Sequence, residues 1–413
     1  MDKQDKKTLS VVTVAHTLVH LIEGTLPPLI PLLLGVFNTD YFHLGLVMSV
    51  FSYSFGLGAF PSGVLADRTG PTRLLILYLF GSGMLCVTVL FVTNLVPFAI
   101  VLGLLGLLGS IYHPAANTII SLGIKERGKA FGINGIAGSL GTSAVPFLAA
   151  FLGAAWGWRS PYLIFGVAVL VVGFFALSLP SYKTEIPSPK ERKDDTQETD
   201  PTSQNSSGWK DQNTKKQEKV LTSRLVLFYL SCALAGMGNR GVLTFLPAYL
   251  GKQFAQAGFG LDPVRLGGIF ATLTLIAGAA GQYIAGAMVD RRRPQSLYVL
   301  TLLVSALCIL VMSFSGGVVL FLAAVGVGFF SFAVQPMQNT IVAKLLPKHR
   351  HGMGYGFMFF MTFGIGSIAA AFSGWLADRQ GLPAVFIAMG LCYVASTLSM
   401  FVAERMEQKV KSR

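Results

Sequence analysis

The sequence has few charged residues. Asp, Glu, Lys and Arg make up 12% of its 413 residues, whereas 53% are hydrophobic. Because a soluble domain typically carries about 25% charged residues, this chain has too little polar surface to cover a globule in water. The composition predicts a chain that folds in a lipid bilayer. The net charge of +13 does not indicate nucleic acid, because the Lys and Arg residues lie in short loops between apolar runs, where they set membrane orientation.

Cysteine is also scarce, and the patterns of enzymes are missing. The four cysteines lie inside apolar runs, at Cys86, Cys232, Cys308 and Cys392. Their spacing indicates neither a disulfide framework nor a cysteine metal site. The sequence has no phosphate-binding loop of the G-x-x-x-x-G-K-[ST] kind and no nucleophile set beside a base. We therefore expect no enzyme, no cofactor and no metal, and protons as the energy source for any transport.

Twelve apolar runs of about the ~20 residues that cross the hydrocarbon core predict twelve transmembrane helices. They are expected at residues 10–36, 43–65, 74–93, 96–122, 130–154, 161–180, 223–250, 266–289, 296–314, 317–346, 352–376 and 383–403. Residues 181–222 are polar, and this composition predicts a flexible cytoplasmic linker. We expect one six-helix bundle over residues 1–180 and a second over 223–413.

The distribution of Lys and Arg predicts the orientation. Of the 32 such residues, 27 lie on the side of the two termini, four lie on the other side, and Arg240 lies within a span. This asymmetry places both termini in the cytoplasm. We expect a multi-pass protein of the inner (cytoplasmic) membrane that is monomeric, with the lipid bilayer, protons and a small molecule as its partners.

A loop rich in glycine and charge joins the second and third runs. It reads Gly63-Val64-Leu65-Ala66-Asp67-Arg68-Thr69-Gly70-Pro71-Thr72-Arg73, and a partial copy follows at Gly286-Ala287-Met288-Val289-Asp290-Arg291. Pro114-Ala115-Ala116-Asn117-Thr118-Ile119 likewise recurs 222 residues later as Pro336-Met337-Gln338-Asn339-Thr340-Ile341. These repeats indicate one half-protein made twice.

The loop resembles the signature between helices 2 and 3 of the major facilitator superfamily. The resemblance implies an all-α membrane protein with twelve transmembrane helices in two pseudo-symmetric six-helix bundles. Its substrate would bind near the midplane between the halves, which alternate in their access to the two sides. The resemblance also implies a gating role for Gly63, Asp67, Arg68, Gly70, Arg73, Asp290 and Arg291. The alternative role of this loop is topological anchoring only.

Polar residues inside the first run form a candidate proton site. His16, His20 and Glu23 occur at i, i+4 and i+7, a spacing that puts them on one helix face. Ionisable groups inside membranes are costly and are commonly functional, and partly buried histidines and carboxylates can change protonation near neutral pH. The alternatives are a structural hydrogen-bonded cluster and a metal site with two His ligands and one Glu ligand.

Further polar residues inside the spans are candidates for substrate binding. Arg240 and Asn239 occupy the repeat positions of Gly24 and Glu23, so Glu23 and Arg240 could pair across the pseudo-twofold axis, and an anionic substrate could take the guanidinium. The other candidates lie beside prolines in the fourth and tenth runs and are His113, Asn117, Gln335, Gln338 and Asn339. The alternatives are a permanent ion pair and hydrogen bonding between helices.

The residues around His20 and His113 resemble the bacterial fosmidomycin-resistance group of the superfamily. The matching segments are Val19-His20-Leu21-Ile22-Glu23 and Ile111-Tyr112-His113-Pro114-Ala115-Ala116. The resemblance implies proton-coupled export of a small, possibly anionic drug or metabolite. Two alternatives stay open: a proton-coupled importer of an organic anion on the same fold, and a membrane receptor that does not transport.

Overall fold

The computed structural model describes residues 1–182, 209–289, 291–346 and 351–411. All regular secondary structure in these residues is helical. Eleven helical segments are long and apolar enough to cross a membrane, and the shorter apolar helix Ser160–Ala176 takes the place of the twelfth. The expected all-helical fold of twelve spans is confirmed.

The first half contains eight helices that form six spans. The first span consists of α1 (Lys3–Glu23) and α2 (Leu26–Val36), the second of α3 (Tyr41–Thr69) and the third of α4 (Pro71–Thr88). The fourth consists of α5 (Leu95–Gly109) and α6 (Tyr112–Gly123), the fifth of α7 (Arg127–Trp156) and the sixth of α8 (Ser160–Ala176).

The described residues of the second half contain seven helices that also form six spans. The seventh to tenth spans are α9 (Trp209–Phe254), α10 (Pro263–Val289), α11 (Pro294–Phe314) and α12 (Gly317–Leu345). The eleventh consists of α13 (His351–Phe359) and α14 (Ile368–Gln380), and the twelfth is α15 (Leu382–Lys411). A π-helical turn over Phe360–Gly364 and a 3-10 turn over Ile365–Ser367 join α13 to α14.

The seventh span differs from its expected start. Helix α9 begins at Trp209, inside the segment expected to be a flexible linker, and continues without a break into the membrane-length region. The residues from 209 to 222 are rich in Lys and Gln, which are good helix formers, so an existing helix can extend through them. The rest of the expected linker, from residue 183 to residue 208, lies outside the described residues.

Three spans are interrupted at membrane depth. The first breaks at Gly24, where the hydroxyl of Thr25 donates to the carbonyl oxygen of Leu21 at 2.6 Å. The fourth breaks at Ser110, whose hydroxyl donates to the carbonyl oxygen of Leu107 at 2.6 Å, and the eleventh breaks at the π-helical turn. Irregular backbone at this depth is found where it is buried in protein or lines a cavity, and π turns frequently mark functional sites.

The two ends of the bundle can be told apart by their contacts. We call the end that carries the N-terminus the proximal face; there the hydroxyl of Thr72 donates to the carbonyl oxygen of Pro180 at 2.8 Å. We call the opposite end the distal face; there the guanidinium of Arg159 donates to the carbonyl oxygen of Val92 at 2.6 Å. The two faces correspond to the two sides of the membrane.

The two halves touch near the distal face and separate near the proximal face. A Cβ atom on Gly45 of the first half would overlap the carbonyl oxygen of Ala370 in the second. Near the proximal ends of α3, α7, α10 and α13, a Cβ on Gly63, Gly132, Gly286 or Gly356 would meet nothing within 4 Å among the described atoms. The space between the halves therefore opens towards the proximal face.

Candidate functional site

The first span places its three polar residues in one connected row. The Nδ1 atom of His16 lies 2.6 Å from the carbonyl oxygen of Asn134 in the fifth span. The Nε2 atoms of His16 and His20 lie 3.3 Å apart, and Nδ1 of His20 lies 3.0 Å from Oε2 of Glu23. Helix α1 produces this order because residues at i, i+4 and i+7 share a face. The row runs from the backbone of one helix to a carboxylate.

The row of hydrogen bonds requires one proton more than its neutral histidines supply. The carbonyl oxygen of Asn134 can only accept, so Nδ1 of His16 carries a proton. The contact between the two Nε2 atoms needs a second proton, and the contact between His20 and Glu23 needs a third. Two neutral imidazoles supply two protons. If all three contacts are made as hydrogen bonds at once, His16, His20 and Glu23 together hold one proton more than two neutral imidazoles and a carboxylate carry.

A third histidine approaches this row from the fourth span. The ring centroids of His16 and His113 are 5.2 Å apart, and those of His20 and His113 are 5.6 Å apart. One ligand nitrogen from each of these histidines lies within 4.8 Å of the others. Three imidazoles are a suitable ligand set for a divalent transition metal, so these residues could hold one. A hydrogen bond between the two Nε2 atoms would account for the close contact of His16 and His20 without a metal, and the expected lack of a metal stays a prediction.

The Glu23 carboxylate connects this row to the opposite half of the protein. Its Oε1 atom lies 3.5 Å from Nη2 of Arg240 in the seventh span, and the two side chains are 20% and 13% exposed. The guanidinium carbon of Arg240 also lies 5.8 Å from the ring centroid of Phe363, in the π-helical turn of the eleventh span. One carboxylate thus contacts His20 through one oxygen and Arg240 through the other, at the boundary between the halves.

The remaining candidate substrate residues are divided between open and enclosed positions. Asn117 and Gln335 are exposed, and Oε1 of Gln335 accepts from the amide of Gln282 at 3.4 Å. Asn239 lies beside Arg240, and its buried side-chain oxygen has no hydrogen-bond partner in the part of the chain that is described.

The two tenth-span residues one turn beyond Gln335 differ from each other. Asn339 is half-buried, and its carbonyl oxygen accepts from the hydroxyl of Tyr355 at 3.3 Å. Gln338 is buried inside the second half, where its amide donates to the hydroxyl of Tyr298 at 3.0 Å. In this conformation Gln338 is therefore occupied within its own bundle and does not face the row on the first span.

Those of the expected gating residues that the structure describes lie at the proximal face. Helix α3 ends at Thr69, and Gly70 follows with a φ of 92°, a backbone conformation that favours glycine. Arg68, Arg73 and Arg291 are exposed. The side chain of Asp67 and all of Asp290 lie outside the described residues.

Two residues of the site were missed from the sequence. Asn134 supplies the carbonyl oxygen for His16, and its side-chain oxygen lies 3.1 Å from the hydroxyl of Tyr112. The Tyr112 ring stacks on the ring of His16, with centroids 4.9 Å apart. Two signals pointed to them: Tyr112 precedes His113, and Asn134 is the one strongly polar residue among the repeated glycines from 132 to 141.

Comparison with known proteins shows the family to which the sequence belongs. The sequence profile of the Major Facilitator Superfamily matches residues 12–371. The chain belongs to this superfamily. A bacterial homologue of the human lysosomal transporter Spinster, solved in an inward-facing and occupied conformation, superposes with a TM-score of 0.77 over 99% of both chains at 14% identity. This likeness concerns the fold, and the proteins of the superfamily are transporters rather than enzymes.

Two curated relatives have names that indicate different substrates. The chain is 24% identical over 263 residues to the probable L-galactonate transporter of Escherichia coli (strain K12), covering 62% of this chain and 54% of that protein. It is 27% identical over 188 residues to the multidrug resistance protein MdtG of Salmonella paratyphi B, covering 43% of this chain and 44% of that protein. The chain thus spans about half the length of these relatives.

Proposed function

We propose that this superfamily member transports small organic anions, coupled to protons, by alternating access. The observation that carries the proposal is the shared carboxylate of Glu23. One of its oxygens faces His20 at 3.0 Å and the other faces Arg240 at 3.5 Å. The state of the proton row and the charge available on Arg240 are therefore connected through a single side chain.

The charges of the site favour joint binding of a proton and an anion. Without the extra proton, the negative charge of Glu23 offsets the positive charge of Arg240. With that proton in the row, Glu23 and the histidines together are neutral, and the guanidinium is left to bind an anion through charge-assisted hydrogen bonds. By thermodynamic linkage, the anion then favours uptake of the proton to the same degree. This arrangement supports co-transport ahead of the export in exchange for protons that we expected from the sequence.

The position of the pair supports alternating access. Glu23 belongs to the first half and Arg240 to the second, so a change in their charges acts on the contact between the bundles. The halves are apart at the proximal face, which gives the pair a path to that side. We propose that Asn117, Gln335, Asn239 and Asn339 line this path and that Asp67 and its neighbours close it. We further propose that the proximal face is cytoplasmic, because it carries most of the Lys and Arg residues.

Transport in proteoliposomes tests the proposal. We would measure uptake of radiolabelled L-galactonate and of other small carboxylates, sulfonates and phosphates, with and without a pH gradient that is acidic outside. We expect accumulation against a concentration gradient only when the outside is acidic. Glu23→Gln is expected to abolish this accumulation while equilibrative uptake persists. His43→Gln changes an exposed histidine whose ring contacts Asp40 and is not part of the row, and it is expected to behave like the native protein. Accumulation that is indifferent to the pH gradient would contradict proton coupling.

A second candidate is drug export in exchange for protons, favoured by the relationship to MdtG and by the predicted resemblance to the fosmidomycin-resistance group. The same proteoliposomes distinguish it. Exchange requires that a drug and a proton bind in turn, so a lipophilic drug or a phosphonate would be expelled towards the acidic side. Co-transport predicts movement away from the acidic side.

A further inference from the structure

A third copy of the signature loop lies at the distal end of the eleventh span. Residues 62–70 read Ser-Gly-Val-Leu-Ala-Asp-Arg-Thr-Gly, and residues 373–381 read Ser-Gly-Trp-Leu-Ala-Asp-Arg-Gln-Gly, so seven of nine positions are identical. The copy at 286–291 shares fewer positions. The first two copies lie at the proximal face, whereas this one lies on the opposite side of the membrane.

The third copy has the same local structure as the first. Helix α3 is followed by Gly70, which has a φ of 92° and donates a hydrogen bond of 3.1 Å from its N–H to the carbonyl oxygen of Ala66. Helix α14 is followed by Gly381, which has a φ of 85° and donates a hydrogen bond of 2.9 Å from its N–H to the carbonyl oxygen of Ala377. The aspartate in each copy therefore occupies the same position in its helix, three residues before the terminal glycine.

The aspartate of the third copy binds the opposite half of the protein. The carboxylate of Asp378 accepts hydrogen bonds from the backbone N–H groups of Tyr41 and Phe42, at 3.0 and 2.8 Å. These are the first two residues of α3, and the next N–H, of His43, donates to Asp40 of its own half at 2.9 Å. A carboxylate is well placed there because the first N–H groups of a helix have no partner within the helix and carry partial positive charge.

The helices beside this contact are packed backbone against backbone. A Cβ on Gly374, in the same copy, would overlap the carbonyl oxygen of Tyr41. Two turns further into the membrane, the hydroxyl of Ser49 donates to the carbonyl oxygen of Ser367 at 2.6 Å and accepts from the N–H of Ala371 at 3.1 Å. The third copy thus combines a glycine that lets α14 approach α3 closely with an aspartate that hydrogen-bonds to the N-terminus of α3.

We propose that residues 374–381 are a second gating motif, which closes the distal face when Asp378 caps the N-terminus of α3 from the opposite half. When the transporter opens to the distal side, Asp378 must leave Tyr41 and Phe42, and all three groups become hydrated. The motif therefore sets the balance between the two access states. This inference rests on the two-bundle fold alone and holds whatever the substrate and the coupling ion are.

Distance measurements between spin labels test this motif without any ligand. Labels would be attached at two exposed distal positions of opposite halves, Val96→Cys in the first turn of α5 and Phe259→Cys in the loop before α10. The full-length protein would have its native cysteines replaced by alanine and would be held in nanodiscs. Double electron–electron resonance then reports the fractions of distal-closed and distal-open molecules. We expect Asp378→Asn to raise the open-to-closed ratio about tenfold, the equivalent of about 1.4 kcal/mol.

The matched control is Asp262→Asn. Asp262 is also a distal aspartate that accepts two backbone hydrogen bonds at a helix start, at 3.0 Å from Val264 and Arg265, but all of these residues belong to the second half. We expect this variant to change the ratio less than twofold. An unchanged ratio in Asp378→Asn, or an equal change in both variants, would overturn the proposal.

A second pair of variants keeps the proposal testable if Asp378→Asn does not fold. Gly374→Ala adds a Cβ where the opposite backbone lies and is expected to open the distal face as well. Gly35→Ala adds the same atom near the end of α2, outside all three copies of the motif, where nothing lies within 4 Å among the described atoms, and is expected to leave the ratio as it was. A closed distal face in Gly374→Ala would contradict a gate at this motif.

Discussion

Removing either member of the pair formed by Glu23 and Arg240 should have unequal consequences. Glu23→Gln leaves the guanidinium without a carboxylate, because Glu23 is the one carboxylate within 4 Å of it among the described residues. Arg240→Met leaves Glu23 with His20 at 3.0 Å. We therefore expect the first variant to be clearly less stable than the second.

The magnitude follows from the geometry of the pair. Two unit charges 3.5 Å apart attract by about 5 kcal/mol at an effective dielectric constant of about 20. Part of this attraction is offset by the bond to His20 and by desolvation of both charges, which leaves about 2 kcal/mol. Because the carboxylate competes with a bound anion, Glu23→Gln should bind an anion about 30-fold more tightly than the native protein, at about 1.4 kcal/mol for each factor of ten.

Thermal unfolding in detergent measures both effects. A loss of about 1 kcal/mol lowers the melting temperature of a domain the size of one six-helix bundle by roughly 2–4 °C. Losing about 2 kcal/mol in Glu23→Gln should therefore lower it by about 4–8 °C, and a bound anion should recover most of this loss. Arg240→Met should change it by a degree or two and should abolish the response to the anion. The double variant should be as stable as Arg240→Met. The reasoning fails if Arg240→Met unfolds as early as Glu23→Gln, or if the double variant is the least stable of the three.

Three further results are expected. Gly138→Ala should disconnect proton coupling from transport, because the added Cβ would lie 2.5 Å from the ring of His16. Its control is Gly135→Ala, whose added Cβ meets nothing within 4 Å and which should transport like the native protein. Equal behaviour of the two variants would contradict the proton row. Dialysis against a metal chelator should leave transport rates unchanged, and a loss restored by Zn²⁺ would show that the three histidines hold a metal. Partial burial raises the pKa of Asp40, and hydrogen bonds from the backbone and ring of His43 lower it by more, so that its pKa is below the usual 3.8. Asp40 therefore stabilises the fold above about pH 4, and this contribution is lost as the pH falls through the lowered pKa. Asp40→Asn should reduce the melting temperature slightly at pH 7, and a difference that persists below the lowered pKa would contradict this role.

The spans and their order were predictable from the sequence because bilayer thickness fixes helix length and the repeats fix the division into halves. The contact between Glu23 and Arg240 could also be predicted, since their positions in the two repeats coincide to within one residue. The interruptions of the helices were harder to predict from the sequence. The π-helical turn in the eleventh span contains no proline, and neighbouring helices decide whether such a turn is stabilised.

Contacts between helices set the limit of the sequence-based prediction. Helical periodicity places His16 on the face of His20 and Glu23, but it does not give the depth at which the fifth span presents the carbonyl oxygen of Asn134. In the tenth span, Gln338 and Asn339 are neighbours in sequence and point about 100° apart on a helix. This difference is enough to turn Gln338 into its own bundle.

The central claim is that a proton and an anion bind together at Glu23 and Arg240. Proton exchange during anion binding tests it most directly, with purified protein in weakly buffered detergent, a pH-sensitive dye, and the anions of the uptake panel as titrants. Joint binding predicts that up to one proton per protein is taken up as the anion binds, and that Glu23→Gln takes up none. Release of a proton on binding would contradict the claim and would indicate exchange.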